Sequence, residues 1–225
     1  MIETLIQTKL KVENSKILMF DFDGVIADSV EVKTHAFASL YMEYGDEIVN
    51  KVIEHHKNNG GMSRFEKFCI YHESFLNQEI NEEILIQLSD RFSKIVFNKV
   101  VSANEINFVG QFLKKFGGEN RICVVNSATP QAEMRKIIKA RGMDNIFSYV
   151  LGSPQSKADN INVVLDKYGC SKNELLFFGD SKADLSAAIN CDVDFIGIGK
   201  KIERYISKMG FNYNSMKDFQ KIMEL

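Results

Sequence analysis

Ile17-Leu18-Met19-Phe20-Asp21-Phe22-Asp23-Gly24 decides how this 225-residue chain is read. An apolar run with no polar alternation meets two carboxylates at i and i+2, then a glycine. Such a run predicts a strand over Ile17–Phe22 covered on both faces, as in a parallel sheet. Side chains at i and i+2 leave a strand on the same side, so Asp21 and Asp23 are expected to face one small space. Two like charges that close repel, and one carboxylate pKa rises unless a cation neutralises the pair. A strand end with this pair suits a metal site, an acid/base pair, or both. The plainer alternative is two solvated aspartates in a turn.

Four more short apolar runs read as buried strands: Ile122–Val125, Tyr149–Leu151, Leu175–Phe178 and Phe195–Ile198. Helical patterns separate the later ones. Thr129-Pro130 opens one helix, with Thr129 as N-cap, Met134, Ile137 and Ile138 as its apolar face and Gly142 as its stop. Ser156 opens a second, with Ile161, Val164, Leu165 and then Gly169. A third runs from about Lys182 through Leu185, Ala188 and Ile189. Strand–helix alternation from residue 122 onward predicts an α/β fold with a five-stranded parallel sheet and helices on both faces. Between about Ser29 and Lys99 the apolar residues instead recur at helical spacing, broken strongly only at Asn58-Asn59-Gly60-Gly61. The expected organisation is a discontinuous core, residues 1–28 and 101–225, with a helical module inserted at 29–100.

Composition narrows the function classes. Apolar residues make up 45% and charged residues 26%, as in ordinary globular chains. A formal net charge of −2 supplies no basic field for nucleic acid or an anionic membrane. No apolar stretch is long enough to span a bilayer, and Met1 to Lys16 mixes charges among its apolar residues, unlike a secretory signal. Cys69, Cys123, Cys170 and Cys191 form no Cys-x-x-Cys pair and read as free thiols of a cytoplasmic protein.

In a parallel α/β sheet, ligands bind beyond the carboxyl ends of the strands. The residues expected there are Asp21 and Asp23, then Asn126 and Ser127, then Lys157, then Asp180 and Asp184. Acids of this kind hold a divalent cation through hard oxygens. A hydroxyl, helix N–H groups and a lysine hold phosphate oxygens. Each residue has a bland alternative: Lys157 as a surface lysine, Asp184 as an early-helix acid, Ser127 as a cap. Asn126 competes with Ser127 for the phosphate, because the strand end is uncertain by a residue. Asp28 and Ser29 read as caps of the first insert helix.

The motifs also carry a resemblance. Asp21-Phe22-Asp23-Gly24-Val25-Ile26-Ala27-Asp28-Ser29, Val124-Val125-Asn126-Ser127, Lys157, and Phe178-Gly179-Asp180-Ser181-Lys182-Ala183-Asp184 resemble, in order, the four motifs of haloacid dehalogenase-like phosphatases. The insert lies where that family places its type-1 helical cap, in the branch that includes phosphoglycolate phosphatases and β-phosphoglucomutases. The resemblance implies a Rossmann-like core and Mg²⁺ as cofactor. It implies Asp21 as the nucleophile that becomes an aspartyl-phosphate, and Asp23 as general acid/base with its carbonyl on the metal. It places Asp180 in the metal site, with Asp184 on metal-bound water or orienting Lys157. Ser127 and Lys157 would hold the phosphoryl oxygens.

A Mg²⁺-dependent phosphatase acting on a small phosphorylated metabolite is therefore expected, as monomer or homodimer, with no nucleic acid or membrane partner. The alternatives are a phosphosugar mutase of the β-phosphoglucomutase type and a non-catalytic binding protein of the same fold. The mutases carry Glu-Asp where this chain has Gly179-Asp180, which favours hydrolysis. Specificity is expected from the insert, at Gly61, Ser63 and Arg64. Glycine allows close backbone approach and arginine can grip an anion. The same stretch reads equally well as a helix start, with Ser63 as cap and Glu66 in a capping box. His35, His55, His56 and His72 read as polar-face residues.

Overall fold

Strand β1 (Ile17–Phe20) lies at the centre of the sheet because every one of its side chains finds an apolar partner. Leu18 and Phe20 join one buried cluster and Ile17 and Met19 the other, so both sheet faces are covered. The structure is a computed structural model describing residues 2–117 and 121–225. Around β1 stand β2 (Ile122–Pro130), β3 (Tyr149–Ser153), β4 (Leu175–Gly179), β5 (Asp194–Ile198) and β6 (Asn214–Met216). All pairings are parallel, in the order β3-β2-β1-β4-β5-β6. Phe20 sits in register with Val125 on one side and Phe178 on the other, stacking on Phe178 at 4.9 Å.

The sheet thus has six strands among the described residues, one more than expected. Strand β6 is a short edge strand with the sequence Asn-Ser-Met, whose one buried residue gives no apolar run to detect. Strand β2 is also longer than expected, running on through Thr129 to Pro130.

Helices α1 (Ile2–Asn14), α6 (Val109–Phe116), α7 (Gln131–Ala140) and α11 (Gln220–Met223) cover the Phe20 face. Helices α8 (Lys157–Tyr168), α9 (Lys182–Cys191) and α10 (Lys200–Met209) cover the other. Ser156 caps α8, accepting the Asp159 N–H, and Gly169 ends it at φ 60°. Ile189, expected on the apolar face of α9, is exposed.

Between β1 and α6 lie α2 (Val30–Leu40), α3 (Asp46–Asn58), α4 (Arg64–Ile70), a π-helical turn (Tyr71–Leu76) and α5 (Glu82–Val101). They pack around Phe37, whose ring meets Phe92 at 4.4 Å, Phe68 at 5.7 Å and Tyr71 at 5.8 Å. Buried aromatic pairs of this kind contribute beyond their area alone.

Candidate active site

The strand order reverses between β1 and β4, and ligand crevices of parallel sheets open at such a switch point. Asp21 and Asp180 follow these two strands directly. The backbone N–H of Asp21 still donates to Phe178 O at 2.9 Å, which fixes the carboxylate at the sheet rim. Its Oδ1 accepts the Phe22 N–H at 2.6 Å, and its Oδ2 lies 2.9 Å from Lys157 Nζ.

Lys157 stands in the first turn of α8 and also pairs with Asp184. Asp184 is fully buried and accepts the Ser181 N–H at 3.0 Å and the Ser181 O–H at 2.6 Å. This reciprocal cap ties α9 to its own first turn while aiming a carboxylate at Lys157.

Carboxylate oxygens of Asp21, Asp180 and Asp184 lie within 4.8 Å of one another. Burial pushes the Asp21 carboxyl up to about 7; Asp184 and Asp23 add to the rise and Lys157 opposes it. Asp180 is raised well above its ordinary value, first by burial and then by Asp184 and Asp21. Burial alone would lower the Lys157 ammonium, but Asp184 and Asp21 together raise it. Three hard oxygen donors, two of them costly to ionise as they stand, form a group that fits a divalent cation.

Asp23 takes a different direction. Its side chain is outside the three-carboxylate group: Oδ1 accepts the Ser29 O–H at 2.6 Å and Oδ2 pairs with Lys33. The two aspartates line one cavity but do not share partners, because β1 ends at Phe20 and strand alternation no longer governs Asp23. Ser29 begins α2 without a side-chain capping bond, its hydroxyl being turned to Asp23 instead. Lys33, one turn on, also donates to Thr129 Oγ1 at 2.7 Å. Thr129 is therefore a strand residue holding Lys33 rather than a helix cap. Neither Ser29 nor Lys33 was expected at the site. Their i, i+4 spacing behind the Asp-x-Asp was the available signal.

At the end of β2, Ala128 and Thr129 line the cavity. Ser127 is buried behind them and accepts the Thr129 N–H at 3.1 Å, leaving its own proton free to be donated. Asn126 points away from the cavity. It donates to the Lys157 carbonyl and accepts from Asn160 Nδ2, both at 2.9 Å. It holds the start of α8, with both ends of its amide engaged.

The insert closes the other side of a cavity of about 350 Å³. Gly61, at φ 81°, packs against the loop after β4: a Cβ there would fall 2.5 Å from Ser181 Oγ. Its close approach is to Ser181, though it also lines the cavity. Ser63 caps α4, accepting the Glu66 N–H at 3.2 Å, and does not line the cavity. Arg64 does, but its guanidinium is already engaged by Glu133 of α7 at 2.9 Å and Ser93 Oγ at 2.7 Å, and it stacks over Phe92 at 4.5 Å. It clasps the insert to the sheet domain. The sequence hid this because Glu133 lies 69 positions away.

His56 and Lys67 form a second pair missed as functional. Lys67 Nζ lies 3.0 Å from His56 Nδ1, and both side chains are buried at the cavity wall. Lys67 is three residues after Arg64, on the same face of α4. His56 and His72 are buried, not polar-face residues. Burial, then Lys67, pushes the His56 pKa down to about 2. The unfolded chain therefore binds one more proton below about pH 6.5. This stabilising contribution is present above that pH and is lost as pH falls. Wild type should lose stability relative to His56→Asn by about 1.4 kcal/mol per pH unit below pH 6.5. Parallel urea-unfolding profiles for the two proteins would contradict the assignment.

The sequence model of the haloacid dehalogenase-like hydrolase family matches residues 18–198. This chain belongs to that family of hydrolases. Among its relatives is a phosphoglycolate phosphatase of Mannheimia succiniciproducens, 22% identical over 210 residues, covering 88% of each chain. One of Psychrobacter arcticus is 25% identical over 215 residues, covering 89% of this chain and 86% of its own. A β-phosphoglucomutase structure from Clostridium difficile superposes with a TM-score of 0.74 at 17% identity, over 93% of this chain and 96% of its own. A structure from Haemophilus somnus, described as a predicted phosphoglycolate phosphatase, gives 0.70 at 18%, over 94% and 97%. No helix among the described residues is long and apolar enough to cross a membrane.

Proposed function

We propose that this hydrolase is a Mg²⁺-dependent phosphatase of a small phosphorylated metabolite that works through an aspartyl-phosphate. One observation carries the reading: Asp21 stands at the switch-point strand end, paired with Lys157 and grouped with Asp180 and Asp184. Asp21, Asp180 and Asp184 are the side chains to hold Mg²⁺, which when bound supplies positive charge against the phosphate dianion. Asp21 Oδ attacks phosphorus, and the P–O bond to the alcohol breaks as Asp23 gives that oxygen a proton. Asp23 then takes a proton from water, whose oxygen displaces Asp21 from phosphorus and regenerates both carboxyl groups. This reading assigns the phosphoryl oxygens to Lys157, beside Asp21, and to the Ser127 hydroxyl at the end of β2.

The mutase alternative has support from the C. difficile superposition. Position 179 argues for hydrolysis. A Cβ on Gly179 would lie 2.3 Å from Asp184 Cβ, so the space where a glutamate would begin is filled by Asp184. Phosphate release from p-nitrophenyl phosphate should require Mg²⁺ and stop on EDTA addition. An undiminished rate in EDTA would exclude this metal assignment.

A further inference from the structure

The cavity wall facing the proposed reaction centre holds a cation with no anion to balance it. Lys67 is only 2% exposed and lines the cavity. The other deeply buried cations are paired: Arg64 with Glu133, and Lys157 with Asp21 and Asp184. Lys33, at the same cavity, has Asp23. Among the described residues, no carboxylate lies within ion-pair distance of Lys67. Its near neighbours are His56 Nδ1 at 3.0 Å and the Phe37 ring, 5.3 Å away. A buried ammonium without a counter-charge is destabilising. Here Lys33, Lys201 and Arg64 line the same cavity and add positive potential. Lys201 is itself tied to the insert by donating to the Lys57 carbonyl.

The His56 ring makes this arrangement specific. Burial, then Lys33 and Lys201, push the Lys67 pKa down to about 7. In its ammonium form it has only protons to give, so His56 Nδ1 then accepts and the ring proton sits on Nε2. That bond uses one of three ammonium protons and aims the head group. An incoming anionic oxygen would satisfy the remaining donors and the charge together.

We propose that Lys67, oriented by His56, receives a second anionic group of the substrate, a carboxylate or a second phosphate, remote from the phosphoryl group that reacts. This rests on the phosphatase reading and narrows it to phosphoesters carrying a second anion. Arg64, held by Glu133, is not that receptor.

The test compares wild type, Lys67→Met, Lys67→Arg and His56→Gln on 2-phosphoglycolate, a hexose bisphosphate and ethyl phosphate. Wild type should favour one of the first two over ethyl phosphate. The preferred one distinguishes carboxylate from phosphate. Lys67→Met should erase that preference, lowering kcat/KM for the doubly anionic ester roughly 10- to 100-fold more than for ethyl phosphate. The loss should fall mainly on KM, and Lys67→Arg should recover part of it. His56→Gln, which misaims the ammonium, should weaken the preference by a smaller factor. Calorimetric binding to wild type of phosphonoacetate and methylenebisphosphonate, against methylphosphonate, reads the subsite without turnover. A binding preference with no hydrolysis would overturn the phosphatase reading and leave the subsite standing. Hydrolysis with no preference for a second anion, or equal losses in Lys67→Met on all three esters, would overturn the subsite.

Discussion

Asp21→Asn is expected to lower the phosphatase rate by roughly 10⁴-fold or more while leaving the fold intact. The amide keeps the shape of the side chain and can still accept the Phe22 N–H through Oδ1. It cannot attack phosphorus. The stability readout separates this loss from misfolding. In the metal-free protein the Asp21 carboxyl is raised to about 7 from an ordinary value near 3.8, first by burial. A raised folded pKa means a stabilising contribution fully present below about pH 3.8 and lost as pH rises through about 7. At pH 8 the metal-free Asn variant should therefore melt above metal-free wild type. Mg²⁺ should stabilise wild type through linkage and stabilise the variant much less. Retained activity in a folded Asp21→Asn protein would end its assignment as nucleophile.

The features legible in the sequence are those set by short-range chemistry. The β1 run, the Ser156 and Gly169 ends of α8, and the apolar runs of β4 and β5 each carry their own signal within a few residues. Strand β6 carries none, because a three-residue edge strand with one buried side chain has no pattern. At the site, acids placed directly after a strand were readable from where the strand stops, as with Asp21 and Asp180. What the sequence did not show was the partner of each side chain. The i, i+2 rule put Asp21 and Asp23 at one space, and both line the cavity, but it could not give their partners: the chain leaves strand geometry at Phe20, and Asp23 meets Ser29 and Lys33. Asn126 shows the same limit: the turn of its amide is decided by Asn160 and the Lys157 carbonyl, far along the chain. Arg64 had a capping serine and a glycine pair to mark it, yet its partner Glu133 belongs to another layer of the fold.

Lys157 tests whether stability and catalysis at this site are joined through one charge. Its ammonium is the bridge between Asp21 and Asp184, two carboxylates that would otherwise repel in a buried space. Lys157→Met removes the cation and leaves the fully buried Asp184 with Ser181 as its remaining listener for negative charge, a partner that offers hydrogen bonds but no counter-charge. Breaking a buried pair in this way costs about 3–5 kcal/mol. Phosphate release should fall as well, by roughly 10²–10³-fold, since a preorganised donor to the developing charge is lost. Adding Asp184→Asn removes the stranded carboxylate while its amide oxygen still accepts from Ser181. The double variant should regain most of the melting temperature but none of the rate. Because the residues touch, the two substitutions should be strongly non-additive in stability. Additive stability losses would mean that Asp184 does not depend on Lys157. Recovery of the rate together with stability would mean that Lys157 serves only to hold the fold.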